Sequence, residues 1–311
     1  MYKGQRVAAV LPAHNEERHI GEAIKTMPGF VDHVIVVDDC SRDDTSGAAR
    51  AAGDPRVEVL RPERNQGVGG STVLGYRRGL ELGCDVLVKM DGDGQMDPAF
   101  LAPLLDALVE HGYHYAKGNR FLAGSSLAQM PRARLFGNVV LTFMTKLATG
   151  YWHVFDPQNG YTAVRADALR VVDLDAVHRR FFFENDMLGQ LNYHNFRVRD
   201  VAIPARYGEE VSDLSPLKIG FTFPFLLLRR FLRRLYEKYV LRDFSPIALF
   251  IFLGSLLFAW GTVFGIYLWA RTLRTGLPTP TGTIMLALLP LILGFQLLLQ
   301  AIVLDIQETP K

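Results

Sequence analysis

The 311-residue chain predicts an α/β fold, a parallel sheet with helices on both faces, followed by a tail that enters a membrane. The first observation is alternation. Short apolar runs at 6–11, 33–37, 57–60 and 85–90 are separated by helix-length segments at 16–27, 43–52 and about 67–82. Repeated units of this spacing build parallel sheets. The second is that polar clusters follow three of these strands: Pro12-Ala13-His14-Asn15-Glu16, Asp38-Asp39 and Asp91-Gly92-Asp93-Gly94-Gln95. In open α/β sheets, ligands gather outside the carboxyl ends of strands, near a reversal of strand order. The third is a change of composition near Asp243: neither Phe244–Ala270 nor Thr275–Leu304 contains a charged residue.

The run Val7–Leu11 is short and lies between Arg6 and Pro12, so it reads as a buried strand and not as a signal peptide. Asn15 is placed to cap the helix that follows. The stretch Gly67-Val68-Gly69-Gly70 lacks the Gly-Lys-Ser/Thr ending of a P-loop and the spacing of a dinucleotide fingerprint, so it reads as a loop-to-helix cap. Further along, 113–117 and 197–203 read as strands and 132–147 as a helix. A net charge of +2 offers no footprint for nucleic acid. The two cysteines, Cys40 and Cys84, match no zinc spacing and suit a reducing compartment.

The run Val86–Lys89 leads into Asp91-Gly92-Asp93-Gly94-Gln95-Met96-Asp97-Pro98. Strand residues two apart share a face, so Asp91 and Asp93 point the same way. Two carboxylates and the Gln95 amide are hard donors that suit Mg²⁺ or Mn²⁺. A bare Asp-x-Asp is also compatible with an acidic turn. An EF-hand is excluded, because Met96 and Ala102 stand where its Gly and Glu belong.

Four segments together resemble the family-2 glycosyltransferases of the GT-A (Rossmann-like) fold, in the branch of dolichyl-phosphate mannose synthases and polyprenyl-phosphate glycosyltransferases. They are Leu11–Glu17, Val36–Thr45, Arg64–Gly67 and Met90–Pro98, and the resemblance covers about residues 5–210. It implies that Pro12, Ala13, Asn15 and Glu16 line a nucleotide pocket and that Asp38 or Asp39 reads the base or ribose. It implies that Asp91, Asp93 and Gln95 hold Mg²⁺ or Mn²⁺ on the donor diphosphate. The activity implied is metal-dependent transfer of a hexose from a nucleotide-sugar (GDP- or UDP-hexose) to a polyprenyl (dolichyl or undecaprenyl) phosphate.

On the acceptor side, Gly118-Asn119-Arg120-Phe121 is similar to the family's Gly-Ser-Arg-Tyr. Arg134 and Asn138 resemble its Arg-x-x-x-Ser pair, four apart and hence on one helix face. Asp156–Tyr161 resembles a loop near the sugar, and the piece with Arg206 resembles an Arg-x-x-Gly-x-Ser-Lys loop of mannose synthases, whose pattern Glu209, Glu210 and Val211 break. Guanidinium groups converging on one cleft suit phosphate, whereas each alone is also compatible with a surface charge. Glu184 and Asp186 open a helix where hydroxyl-using relatives place a general base; helix-start carboxylates favoured by the dipole look the same.

About 20 apolar residues span a bilayer, which predicts spans at about 247–270 and 283–304. Lys218, Arg229, Arg230, Arg233, Arg234, Lys238 and Arg242 precede the first span, and the loop between spans carries Arg271 and Arg274. The positive-inside rule then places the catalytic part in the cytoplasm of a multi-pass protein of the cell membrane. The segment 219–240 mixes phenylalanines and leucines with arginine pairs and suits the headgroup layer. The expected organisation is a catalytic domain at 1–212, an amphipathic interfacial segment at 213–243 and a two-span anchor at 244–311. Two-span relatives also imply a homo-oligomer assembled through the spans. A processive polysaccharide synthase is disfavoured, because no Arg precedes Trp152, Trp260 or Trp269 as its Gln-x-x-Arg-Trp motif requires. The alternatives left are a hydroxyl acceptor on a glycan or lipid, and a non-catalytic membrane scaffold.

Overall fold

The structure is a computed structural model that describes residues 1–122, 132–157, 159–204, 216–242 and 245–310. One compact unit holds Met1–Phe231 and a second holds Leu232–Thr309. The first unit runs β1 (Val7–Ala13), α1 (Ile20–Lys25), β2 (His33–Asp38), α2 (Thr45–Ala51), β3 (Val57–Leu60), α3 (Gly67–Glu81) and β4 (Val86–Lys89). It continues with α4 (Leu101–Val109), β5 (Tyr115–Asn119), α5 (Arg132–Thr149), β6 (Thr162–Arg165), α6 (Ala166–Val171), α7 (Phe183–Tyr193), β7 (Val198–Ala202) and α8 (Pro216–Arg234), whose last three residues belong to the second unit.

The seven strands form one sheet in the order β3-β2-β1-β4-β6-β5-β7. Strands β3, β2, β1 and β4 are parallel, as expected. The sheet as a whole is mixed, because β6 runs antiparallel to both β4 and β5. Since β6 opposes both neighbours, β4 and β5 end at the same edge. Strand order reverses between β1 and β4, which opens a crevice at their carboxyl ends.

Period-two alternation builds the core on both faces. Val7, Ala9, Leu11, Val34, Val36, Val86 and Val88 pack with Ile20 and Ile24 of α1 and Leu101, Leu104 and Leu108 of α4. Ala8, Val10, Ile35, Val37 and Leu87 pack on the other face with Tyr76 of α3 and Phe183, Met187 and Leu191 of α7. The helix after β1 starts at Ile20, later than expected, and Asn15 is not its cap. Instead Asn15 has φ +61°. The backbone N–H groups of Asn15, Glu16 and Glu17 donate to Ser41 Oγ, Thr45 Oγ1 and Asp43 at 2.9, 2.9 and 3.1 Å. Side chains from the loop after β2 thus hold this segment as a turn.

In the second unit, a π-helical turn at Leu235–Arg242 precedes α9 (Pro246–Thr275) and α10 (Thr281–Gln307). Both helices are long and apolar enough to cross a membrane, and most of their surface is exposed. They meet closely where Gly261 lies against Ala287 and Leu291, and Gly254 against Gly294. α10 is continuous through Pro290, and Gln296 and Gln300 are exposed. At its end a buried Asp305 pairs with the buried Arg234 guanidinium at 2.7 and 3.0 Å and accepts from the Tyr239 hydroxyl. A lost partner there strands a buried charge, so Asp305 ties to α10 both Arg234, just before the π-helical turn, and Tyr239 within it.

Candidate active site at the β1/β4 crevice

The crevice is built by backbone proximity. Gly92 N–H donates to Pro12 O at 3.1 Å, and a Cβ on Gly92 would lie 3.0 Å from the Ala13 Cβ. Glycine therefore lets Asp91-Gly92-Asp93 run beside Pro12-Ala13. Ala13 is in register with Asp38 across β1 and β2. Pro12, Ala13, Asn15, Glu16, Asp38, Asp39, Asp91, Asp93 and Gln95 are thus brought to one edge of the sheet.

The bonds at this edge differ in kind. Asp38 is fully buried, accepts from Ser41 N–H at 2.9 Å and from the Ser46 hydroxyl, and pairs with Arg61 at 2.7 Å. Burial pushes its carboxyl up, but these donors and the Arg61 charge outweigh that and hold it below the usual carboxylate range. Asp39 accepts from the backbone N–H groups of Gln66 and Gly67 at 2.7 and 2.8 Å, so it satisfies the start of α3, while close packing requires the glycines there: a Cβ on Gly69 would collide with His178 O. Asn15 Oδ1 accepts from Arg42 N–H at 2.8 Å, and Glu16 Oε2 lies 3.1 Å from His19 Nδ1. Asp93 Oδ1 accepts from Gln95 N–H at 2.9 Å.

The other half of the edge is the loop from Asp156 to Gly160, pinned by three cations. The buried Asp156 carboxylate takes Arg120 through Nε at 2.8 Å and Nη2 at 3.0 Å. Burial raises Asp156, and the bidentate Arg120 more than reverses this, leaving its carboxyl low. The Arg120 side chain remains 43 % exposed. Lys117 donates to Asn159 O, and burial pushes its pKa down to about 8. Lys89 donates to Gly160 O at 3.3 Å and to Asp91 Oδ1 at 2.7 Å, and lies 3.3 Å from Glu184 Oε1. Burial alone would lower Lys89; the Asp91 and Glu184 carboxylates hold it above the ordinary lysine value.

Asp186 sits in the first turn of α7, where its carboxylate accepts from His178 N–H at 2.9 Å and lies 3.8 Å from the buried Arg230. Arg134 falls in the first turn of α5, and its side chain is outside the described residues. Arg206 also lies outside the described residues. The roles of Lys89, Lys117 and Asp156 did not emerge from the sequence. Lys89 was legible in part: two residues before Asp91, it shares that residue's face of the strand.

Among the described residues, no three His, Cys, Asp or Glu side chains form a ready metal-binding group. Asp91 and Asp93 supply two carboxylates, hard oxygen donors that would need further ligands to complete a shell. That suits Mg²⁺ or Mn²⁺, which bind through one or two carboxylates and take further ligands from substrate phosphates and water. The donor set fits such an ion.

Gly160 makes the arrangement possible. A Cβ there would lie 2.6 Å from Lys89 Nζ and 3.0 Å from Asp91 Oδ2. Gly160→Ala is expected to destabilise the chain by about 1–3 kcal/mol through overpacking, a fall of roughly 2–12 °C in Tm for a domain of this size. Thermal unfolding of the full chain in detergent checks this; an unchanged Tm would show that the loop yields freely.

The family model described as glycosyl transferase family 2 matches residues 8–173, more than half of the chain. An undecaprenyl-phosphate mannosyltransferase of Micrococcus luteus is 36 % identical over 64 % of this chain and 82 % of its own length. A polyprenol monophosphomannose synthase of Mycolicibacterium smegmatis is 32 % identical over 68 % of this chain and 81 % of its own. A UDP-N-acetylglucosamine–dolichyl-phosphate N-acetylglucosaminyltransferase of Methanococcus voltae is 28 % identical over 70 % and 93 %. Glucosyl-3-phosphoglycerate synthase of Mycobacterium tuberculosis, solved with Mn²⁺, UDP and phosphoglyceric acid, shares the fold. Its TM-score is 0.55 at 22 % identity, over 74 % of this chain and 78 % of that one. A crevice at the strand-order reversal, an Asp-x-Asp beside the first strand and a family-model match from β1 through β6 agree: the chain belongs to glycosyl transferase family 2, with its GT-A fold.

Proposed function

We propose that the chain is a membrane-bound inverting hexosyltransferase that moves a sugar from GDP- or UDP-hexose to a polyprenyl phosphate of the dolichyl or undecaprenyl class. The observation that carries this is the single edge on which the Pro12–Glu16 segment, Asp91-Gly92-Asp93 and the Arg120–Asp156 pair meet. The named activities of the relatives support the acceptor class.

In this reading Pro12, Ala13, Asn15 and Glu16 line the nucleotide pocket, with Asp38 or Asp39 at its base-reading end. Asp91, Asp93 and Gln95 would hold Mg²⁺ or Mn²⁺, which when bound offsets charge on the departing diphosphate. Arg120, Arg134 and Arg206 are assigned to the acceptor phosphate. A phosphate oxygen of the lipid attacks the anomeric carbon on the face opposite the nucleotide. The bond from that carbon to the diphosphate oxygen breaks, and the products are a sugar–phosphate–lipid and a nucleoside diphosphate. We assign 1–212 to catalysis, 213–243 to the membrane surface and 244–311 to a two-span anchor, with the catalytic part in the cytoplasm. The basic residues before α9 and the apolar exposed surfaces of α9 and α10 support that placement.

The test is a screen of radiolabelled nucleotide-hexoses with membranes carrying the full chain and added polyprenyl phosphate, followed by lipid extraction. A lipid-linked labelled product from one donor is expected. Transfer only to a soluble or glycan hydroxyl, or to nothing, would defeat the reading.

A further inference from the structure

Lys89 ends β4, is 1 % exposed, and beyond pinning the loop at Gly160 has no part in the nucleotide, metal or acceptor roles proposed above. A buried ammonium must be compensated, and an ammonium has three donors. Here it donates to Asp91 Oδ1 at 2.7 Å and to Gly160 O at 3.3 Å, and forms an ion pair with Glu184 Oε1 at 3.3 Å. These partners come from β4's own end, the loop before β6 and the first turn of α7, so the ammonium is fixed from three directions. Its neighbours in register across the sheet, Thr162 and then Lys117, are also fully buried, and neither supplies a negative charge.

The consequence falls on Asp91. Its Oδ1 is taken by Lys89, while Oδ2 lies on the Gly160 side, 3.0 Å from where a Cβ on that glycine would stand. The carboxylate is therefore divided, with one oxygen committed to the protein. Glu184, only 7 % exposed, is the counter-charge that keeps the ammonium in place.

We infer that Lys89, braced by Glu184, is a positioning residue that presents Asp91 to the crevice through Oδ2 alone and so favours Mg²⁺ or Mn²⁺ over Ca²⁺. The inference rests on the metal reading above. The chemical reason is coordination number: Ca²⁺ takes six to eight oxygens and readily chelates both oxygens of a carboxylate, whereas Mg²⁺ demands octahedral geometry. A carboxylate oxygen that already accepts from a buried ammonium must share or give up that bond to chelate, which weighs against Ca²⁺.

The experiment measures Mn²⁺ and Ca²⁺ binding to the full-length chain in detergent, by calorimetry, with UDP and separately with GDP as the nucleotide probe. Lys89→Met and the double variant Lys89→Met/Glu184→Gln are compared with the natural chain. The double variant removes both buried charges together, so it leaves no stranded carboxylate at Glu184 if the single variant folds poorly. The ratio of Mn²⁺ to Ca²⁺ affinity is expected to fall by about tenfold in the variants, at the low end of the roughly 10–100-fold in metal affinity that an outer-shell partner carries. A merely structural lysine would change Tm and leave that ratio alone. A folded double variant with the natural ratio overturns the inference while the metal reading stands. Absence of Mn²⁺ binding to the natural chain with both nucleotides overturns the metal reading and this inference with it.

Discussion

Asp91→Asn is expected to lower turnover by about 10²–10³-fold, the range for removing one preorganised group that stabilises developing charge. That corresponds to roughly 3–4 kcal/mol of transition-state stabilisation. The substitution keeps shape and hydrogen-bonding capacity and removes the charge from one of the two carboxylates of the Asp-x-Asp. Folding is expected to survive, because Lys89 keeps Glu184 and Gly160 O as partners. Steady-state rates with the best donor from the screen, alongside the Tm of the same preparation, check both halves. Undiminished turnover in Asp91→Asn, or full activity of the natural chain in excess chelator, would remove Asp91 from the reaction.

What made Asp91 legible was local. An apolar run with period-two faces, an Asp-x-Asp at its end and a glycine on either side of Asp93 fix strand, turn and direction within a dozen residues. The same locality revealed β1 to β4 and the two long apolar helices. It failed where a segment's state depends on distant partners. β6 has four residues, Thr162–Arg165, and becomes an antiparallel strand because β4 and β5 flank it. No periodicity that short separates a strand from a loop. The turn at Asn15–Glu17 is set by Ser41, Thr45 and Asp43, so a helix start at Glu16 was the natural local reading. Arg234 counts as a surface charge in any sum over the sequence, yet Asp305 at the far end of α10 buries it. Lys89 stands in the same position: its burial follows from Glu184, contributed by a helix that no pattern near the strand announces.

The acceptor's chemistry is decided by comparing basic and acidic variants. A sugar hydroxyl is a poor nucleophile at neutral pH and needs a positioned base, worth about 10²–10⁴-fold. A phosphate monoester has a second pKa near 6, so at neutral pH it arrives mostly as a dianion that needs no deprotonation. What it needs is positive charge, because repulsion between two unit anions about 4 Å apart is of order 4 kcal/mol at an effective dielectric of 20. Arg120 is suited to supply that charge, because Asp156 fixes its guanidinium from one side while the side chain is still 43 % exposed. Asp186 is engaged elsewhere, with His178 N–H and the buried Arg230. With a polyprenyl-phosphate acceptor, Arg134→Ala is therefore expected to lose at least about 10²-fold in kcat/KM, consistent with the loss of part of that charge balance. Arg120→Ala should fall as far, and is best made together with Asp156→Asn so that no buried carboxylate is left unpaired. Asp186→Asn should lose less than about tenfold, far below the contribution of a general base. Initial rates over a range of acceptor concentrations for each variant supply the comparison. If Asp186→Asn fell by thousands-fold and the arginine variants barely changed, the acceptor would be a hydroxyl and Asp186 its base.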